Sequence, residues 1–168
     1  MIKQKKAQWP WHVLTVLVLI GLAGALYYAT SLIFTGLAVM IAFHAGLFNI
    51  GGEGQAYFAG LGVAIVCLSM DSFLPAPLMF LVAMIAAMIF GAAWAYIAGF
   101  LQAKRGAHVV VTTIMLNYIA FYLVSWMVRV PELLQKPDNI QPISRPTPES
   151  ARFPLLFGEQ FNQLNWGF

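Results

Sequence analysis

The stretch Gly46-Leu47-Phe48-Asn49-Ile50-Gly51-Gly52-Glu53-Gly54-Gln55 places four glycines, two amides and one carboxylate inside an otherwise apolar sequence. Glycine at this density permits positive φ and close backbone approach, and it penalises a continuous helix. Asn49 is of a type that caps a following helix, and Glu53 near that helix's start is favoured by the positive end of the helix dipole. Side chains of these kinds break no covalent bond alone. They cap helices, or they present donors and acceptors to a neighbouring group.

A second polar set follows: Thr112, Thr113, Asn117, Tyr118, Tyr122 and Ser125. Helical spacing puts Thr113 with Asn117 on one face and Tyr118 with Tyr122 on one face. Threonine hydroxyls can bond the carbonyl one turn back in their own helix. The amide of Asn117 is costly to leave unpaired in apolar surroundings. It must bond a neighbouring helix or face a polar cavity, and the residue types leave both open. His44, one turn from Met40, has no titratable neighbour at helical spacing, so it reads as a satisfied interior histidine rather than a proton relay. The histidines (His12, His44, His108) are scattered, and Cys67 is the single cysteine, so an intramolecular disulfide is impossible and no metal site is suggested. The sequence contains no Walker motif, zinc signature or catalytic triad. These features point to a protein that is not an enzyme and that uses no cofactor.

The elements that must position these residues follow from composition. The chain has 168 residues, 61% apolar and 9% charged, with mean hydropathy +0.78. A soluble domain carries roughly 25% charged residues, so a soluble globular domain, a disordered tail and a nucleic-acid-binding module are excluded. Between Ala7 and Ala103 the only formal charges are Glu53 and Asp71. A crossing of the hydrocarbon core needs about 20 apolar residues, which predicts an all-α, polytopic membrane helix bundle. Hydropathy and polar breaks place about five spans, at residues 11–29, 31–48, 56–70, 78–101 and 108–128, with only Thr30-Ser31 between the first two. A secretory signal would need cleavage near Ala23-Gly24-Ala25, but apolar sequence resumes at Leu26, so the first span is expected to stay.

Basic residues set orientation. If Lys3, Lys5 and Lys6 face the same side as Lys104 and Arg105, an even number of crossings separates them, and four spans satisfy this. The organisation expected is a cytoplasmic N-terminus at residues 1–10, a transmembrane region at 11–128, and an extracytoplasmic loop at 129–168 leading toward a further span. Asp71 marks a membrane edge. The loop carries Pro131, Pro137, Pro142, Pro146 and Pro148, which suits a segment without regular helix. In the fourth span Ala83, Ala87, Gly91, Ala95 and Gly99 recur every fourth residue, a packing seam that lets a neighbouring helix approach. In this setting Asn49–Gln55 is either a polar cytoplasmic turn or a helix break beside a path through the membrane. Non-helical backbone at depth survives only inside protein or along a wet cavity.

The run Thr35-Gly36-Leu37 and Phe43-His44-Ala45-Gly46-Leu47-Phe48-Asn49-Ile50-Gly51-Gly52-Glu53-Gly54-Gln55 resembles a signature of the branched-chain amino-acid and simple-sugar permeases of ABC importers. Its Asn-Ile-Gly-x-Glu-Gly-Gln form is most similar to the nucleoside and simple-sugar subgroup. Thr112-Thr113-Ile114-Met115-Leu116-Asn117-Tyr118 resembles a second segment of that subgroup. The resemblance covers residues 30–168 and implies an N-terminal part, about half, of a type II ABC-importer-like permease in the bacterial inner membrane. It implies transport of nucleosides or related simple sugars, with ATP hydrolysed by cytoplasmic ATP-binding subunits. A second permease subunit, identical or homologous, and an extracytoplasmic substrate-binding protein or lipoprotein would be partners, in a lipid setting without nucleic acid. It implies substrate-pathway roles for Asn49, Glu53, Gln55, Thr113, Asn117 and Tyr118. The alternatives are a branched-chain amino-acid permease and a truncated, non-transporting membrane assembly protein. The cytoplasmic loop that docks the ATPase has no counterpart in this sequence.

Overall fold

The computed structural model describes residues 11–70, 73–130, 134–136, 141 and 143–152. Four α-helices in this set are long and apolar enough to cross a membrane: α1 (Trp11–His44), α2 (Gly52–Met70), α3 (Ala76–Arg105) and α4 (Val109–Val128). The all-helical membrane class therefore holds. The chain divides into two compact units, Met1–Gly36 with Phe153–Phe168, and Leu37–Arg152. The proposed edge residue Asp71 lies outside the described residues.

The first two expected spans are one helix. α1 runs for 34 residues without interruption, about 51 Å at 1.5 Å per residue, so among the described residues the long helices number four rather than five. Thr30-Ser31 fails to break it because threonine hydroxyls are absorbed within the helix. The Thr30 hydroxyl donates to the Leu26 carbonyl at 3.0 Å and the Thr35 hydroxyl to the Ser31 carbonyl at 2.9 Å. No proline or glycine pair removes a backbone bond there. Three long helices, not four, then lie between the N-terminal lysines and Lys104-Arg105, so an even number of crossings no longer puts the two basic clusters on one side. α1 is apolar all round and buries none of its residues within the chain.

α1 ends by backbone geometry. Gly46 adopts φ +73°, a conformation that costs a side-chain-bearing residue. Its N–H bonds the Phe43 carbonyl at 3.0 Å, and the Leu47 N–H bonds the Ala42 carbonyl at 2.9 Å. This is a Schellman ending. The non-helical segment is residues 45–51, as long as the expected 49–55 but four residues earlier, because α1 ends at His44 and Gly52–Gln55 already form the first turn of α2.

α2, α3 and α4 pack on one another within the second unit. α3 opens after Pro75 with Pro77 in its first turn, where a missing N–H costs nothing. Lys104 and Arg105 occupy its last turn, and three residues lead to α4, making the two helices antiparallel neighbours. α3 buries Met79, Ala86, Trp94 and Ala98. The small-residue row Ala83–Gly99 only partly coincides with that face, because every fourth position drifts about 40° around a helix of 3.6 residues per turn. Gly91 lies against α2 at the Gln55 carbonyl and Ala59, whereas Gly99 has nothing within 4 Å. Beyond α4, Gln135 and Ser144 form an isolated antiparallel bridge, and Glu149–Ala151 make one 3-10 turn. Among its described residues the expected loop contains no α-helix.

Candidate functional site

The start of α2 is held by another helix. Asn117, in the middle of α4, accepts from the Gly54 N–H with Oδ1 at 2.9 Å and donates from Nδ2 to the Ile50 carbonyl at 3.0 Å. The first N–H groups of a helix lack partners in their own helix, and one of them is capped here by a side chain 63 residues further along. Asn117 thus resolves its own desolvation problem and that of the break together. Asn49 serves the same segment locally: its Oδ1 accepts from the Gly51 N–H at 2.7 Å. It forms an Asx turn leading into α2 and does not cap the first helical turn itself.

The close approach requires glycine. A Cβ at Gly54 would lie 2.8 Å from Asn117 Oδ1, 3.0 Å from Trp94 Nε1 and 3.2 Å from the Asn117 Cα. At Gly51 it would lie 2.9 Å from Asn49 Oδ1 and 3.1 Å from the Thr113 Cβ. Trp94 is 8% exposed and stacks on Phe58 with ring centroids 3.8 Å apart. Its Nε1–H has no hydrogen-bond partner among the described residues. At 1.5 Å per residue, Asn117 lies about 12 Å along α4 from Val109, and Trp94 about 16 Å along α3 from Arg105. The break therefore meets its neighbours well below the end that carries the basic pair.

On the outer side of this junction, Glu53 of α2 and Ile114, Asn117, Tyr118, Phe121 and Tyr122 of α4 line a hollow of about 420 Å³. The α4 residues recur at helical spacing and form one face. Glu53 Oε1 accepts from the Tyr57 hydroxyl at 3.1 Å, one turn along α2. The Tyr57 ring meets Phe121 edge-on at 5.9 Å, and Phe121 meets Tyr122 edge-on at 5.5 Å. The arrangement is a carboxylate over an aromatic floor. It can accept hydrogen bonds and cover an apolar face.

Of the expected pathway residues, Glu53, Asn117 and Tyr118 converge on this hollow. Gln55 does not line it, because two residues along a helix turn through about 200°, and its carbonyl faces Gly91. Thr113 is buried against Gly51 and its hydroxyl bonds the Val110 carbonyl at 3.1 Å. Asn49 is engaged in its turn. His44 is exposed rather than interior, with Nδ1 bonded to the Met40 carbonyl at 2.9 Å. Sequence reasoning passed over Tyr57, Phe58, Trp94 and Phe121. The Glu53/Tyr57 spacing of four was a usable signal, whereas nothing in sequence singled out Trp94.

A membrane bundle with a helix break clamped by an amide side chain would fit many transport proteins, and the comparison with known sequences narrows the class. Residues 13–162 match the family described as branched-chain amino acid transport system / permease component, and the chain belongs to that family. It is 37% identical over 115 residues to the guanosine ABC transporter permease protein of Bacillus subtilis, covering 64% of this chain and 32% of the relative. It is 38% identical over 142 residues to the glucose ABC transporter permease protein of Haloferax volcanii, covering 82% of this chain and 35% of the relative. The nucleoside ABC transporter permease protein of Lactococcus lactis is 40% identical over 97 residues, 58% of this chain and 26% of the relative. The chain thus spans about a third or less of these relatives' lengths. No solved structure matches it.

Proposed function

We propose that this chain forms part of the translocation path of an ATP-driven importer that carries nucleosides or related simple sugars across the bacterial cytoplasmic membrane. The observation that carries the reading is the hollow beside the α2 break, where Glu53 stands among the α4 aromatics. Lys104 and Arg105 are residues of the type enriched at cytoplasmic interfaces. With that pair at the interface, the Asn117 level lies roughly 12–16 Å deep in a hydrocarbon core about 30 Å thick. This supports a mid-membrane break over a cytoplasmic turn. An ionisable side chain at such depth is retained for function more often than for packing. The named cargo of the relatives supports nucleosides and sugars over branched-chain amino acids.

In this reading ATP is hydrolysed by cytoplasmic partner subunits, a second permease subunit completes the path, and an extracytoplasmic binding protein delivers the cargo. Residues 129–168 face outside. The test is uptake of labelled guanosine and labelled glucose by cells carrying this chain with its neighbouring subunits, with and without a Walker-defective ATPase partner. ATP-dependent entry of either compound is expected. Entry of leucine with neither of them would overturn the cargo assignment in favour of the amino-acid reading.

A further inference from the structure

We infer that the Glu53 hollow recognises uncharged cargo through adjacent hydroxyl groups, and that it rejects phosphorylated forms of the same cargo. This rests on the transport reading above and names the chemistry of that site. An ionised carboxylate is acceptor-only, with about four lone-pair positions on its two oxygens. Glu53 uses one, on the Tyr57 hydroxyl, and has no second partner among the described residues. A pair of vicinal hydroxyls supplies two donors at the spacing of the two carboxylate oxygens, as a fork-shaped donor does. The ribose of a nucleoside and a hexose ring both carry such a pair.

The rest of the lining fits the same class. Tyr118 and Tyr122 are 62% and 69% exposed, and each adds a hydroxyl that both donates and accepts. Their rings, with Phe121, offer apolar faces to the C–H side of a sugar or to a base. Asn117 holds one Gly54 donor and one Ile50 acceptor, so its remaining amide hydrogen and lone pair are free in number to meet a ligand. No Lys, Arg or His lines the hollow. A phosphate there would meet a like charge with no cation to offset it, in surroundings where desolvated charge is costly. A volume of about 420 Å³ is within the usual range for small-molecule sites, about 300–1,000 Å³.

The test measures binding on the full chain in membrane vesicles, independent of any delivering protein. Ile114→Cys in a Cys67→Ala background places a thiol in the lining, and its alkylation by a small maleimide is followed with competitors. Guanosine in roughly tenfold excess over its dissociation constant should slow alkylation about tenfold. Guanosine 5′-monophosphate and 2′,3′-dideoxyguanosine should slow it less than about twofold. Glu53→Gln should abolish the guanosine protection, whereas Tyr57→Phe should keep most of it. Equal protection by guanosine and its dideoxy form would overturn the hydroxyl assignment, and protection by the monophosphate would overturn the charge exclusion. Protection lost with inosine but kept with dideoxyguanosine would assign Glu53 to the base edge instead. A thiol that never reacts would show the hollow closed and overturn the site. Guanosine uptake by the assembled transporter without any protection would sink this inference and leave the transport reading standing. Absence of both uptake and protection would sink the two together.

Discussion

α1 and the α2–α4 region have nearly the same apolar composition and manage their polar groups in opposite ways. In α1 the threonine hydroxyls turn back on their own helix: Thr15, Thr30 and Thr35 donate to the carbonyl four residues earlier. The result is a continuous helix whose threonine hydroxyls need no partner on another element. At the α2 break the polar groups are matched across elements, with Asn117 tied to Gly54 and Ile50. A hydroxyl satisfies itself within one turn. A carboxamide, with two donors and an acceptor, binds two backbone groups at once and so fixes the position of a second helix. Composition distinguishes a membrane helix from a loop; the type of polar group distinguishes a helix that satisfies itself from one that is joined.

The contrast between α1 and the α2 break depends first on α1 being one span. Cysteines at Gln4 and Ala103 should label with an impermeant thiol reagent from opposite sides of the membrane, and a cysteine at Ser144 from the side opposite Ala103. Labelling of Gln4 and Ala103 from the same side would restore two crossings in α1. Next in size is Asn117→Leu, which strands a helix N–H and a carbonyl. Leaving one such buried group unpaired costs about 1–3 kcal/mol, so a lowered unfolding midpoint in detergent is expected. Guanosine uptake should fall more than in Ala87→Ser.

Gly54→Ala comes third. Its Cβ would press on Asn117 and on the Trp94 indole, and overpacking of this kind costs about 1–3 kcal/mol. A normal unfolding midpoint in Gly54→Ala would mean that α2 stands further from α4 than described. The smallest effect belongs to Thr30→Val with Thr35→Val. Loss of two self-satisfied hydroxyls in α1 should change stability by less than about 0.5 kcal/mol. A larger loss would show that α1 is joined to a neighbour through these hydroxyls.

Much of this was readable in the sequence, for reasons particular residues make plain. Pro75 and Pro77 opened α3 and Lys104-Arg105 closed it, so hydropathy with punctuation located α2, α3 and α4 to within a few residues. The division of α1 at Thr30-Ser31 failed because two small hydroxyl residues look polar in a hydropathy trace yet cost a helix almost nothing. The need of Asn117 for a partner was legible from its amide. The partners were not, because a backbone N–H at Gly54 and a carbonyl at Ile50 carry no side-chain signature. Gly54 itself was visible only as one glycine of several, and its indispensability rests on Trp94 and Asn117 arriving from two other helices. The hollow was half legible: Glu53, Asn117 and Tyr118 were marked, while Phe121 looked like ordinary membrane-facing apolar sequence.

The cap on α2 also orders events in time. Gly54 leaves the ribosome 63 residues before Asn117, which at about 5–20 residues per second is a delay of roughly 3–13 seconds. Throughout that interval the nascent α2 has a first turn whose Gly54 N–H lacks its final acceptor. The α2–α3 hairpin is synthesised without that acceptor, and α4 is the segment that supplies it.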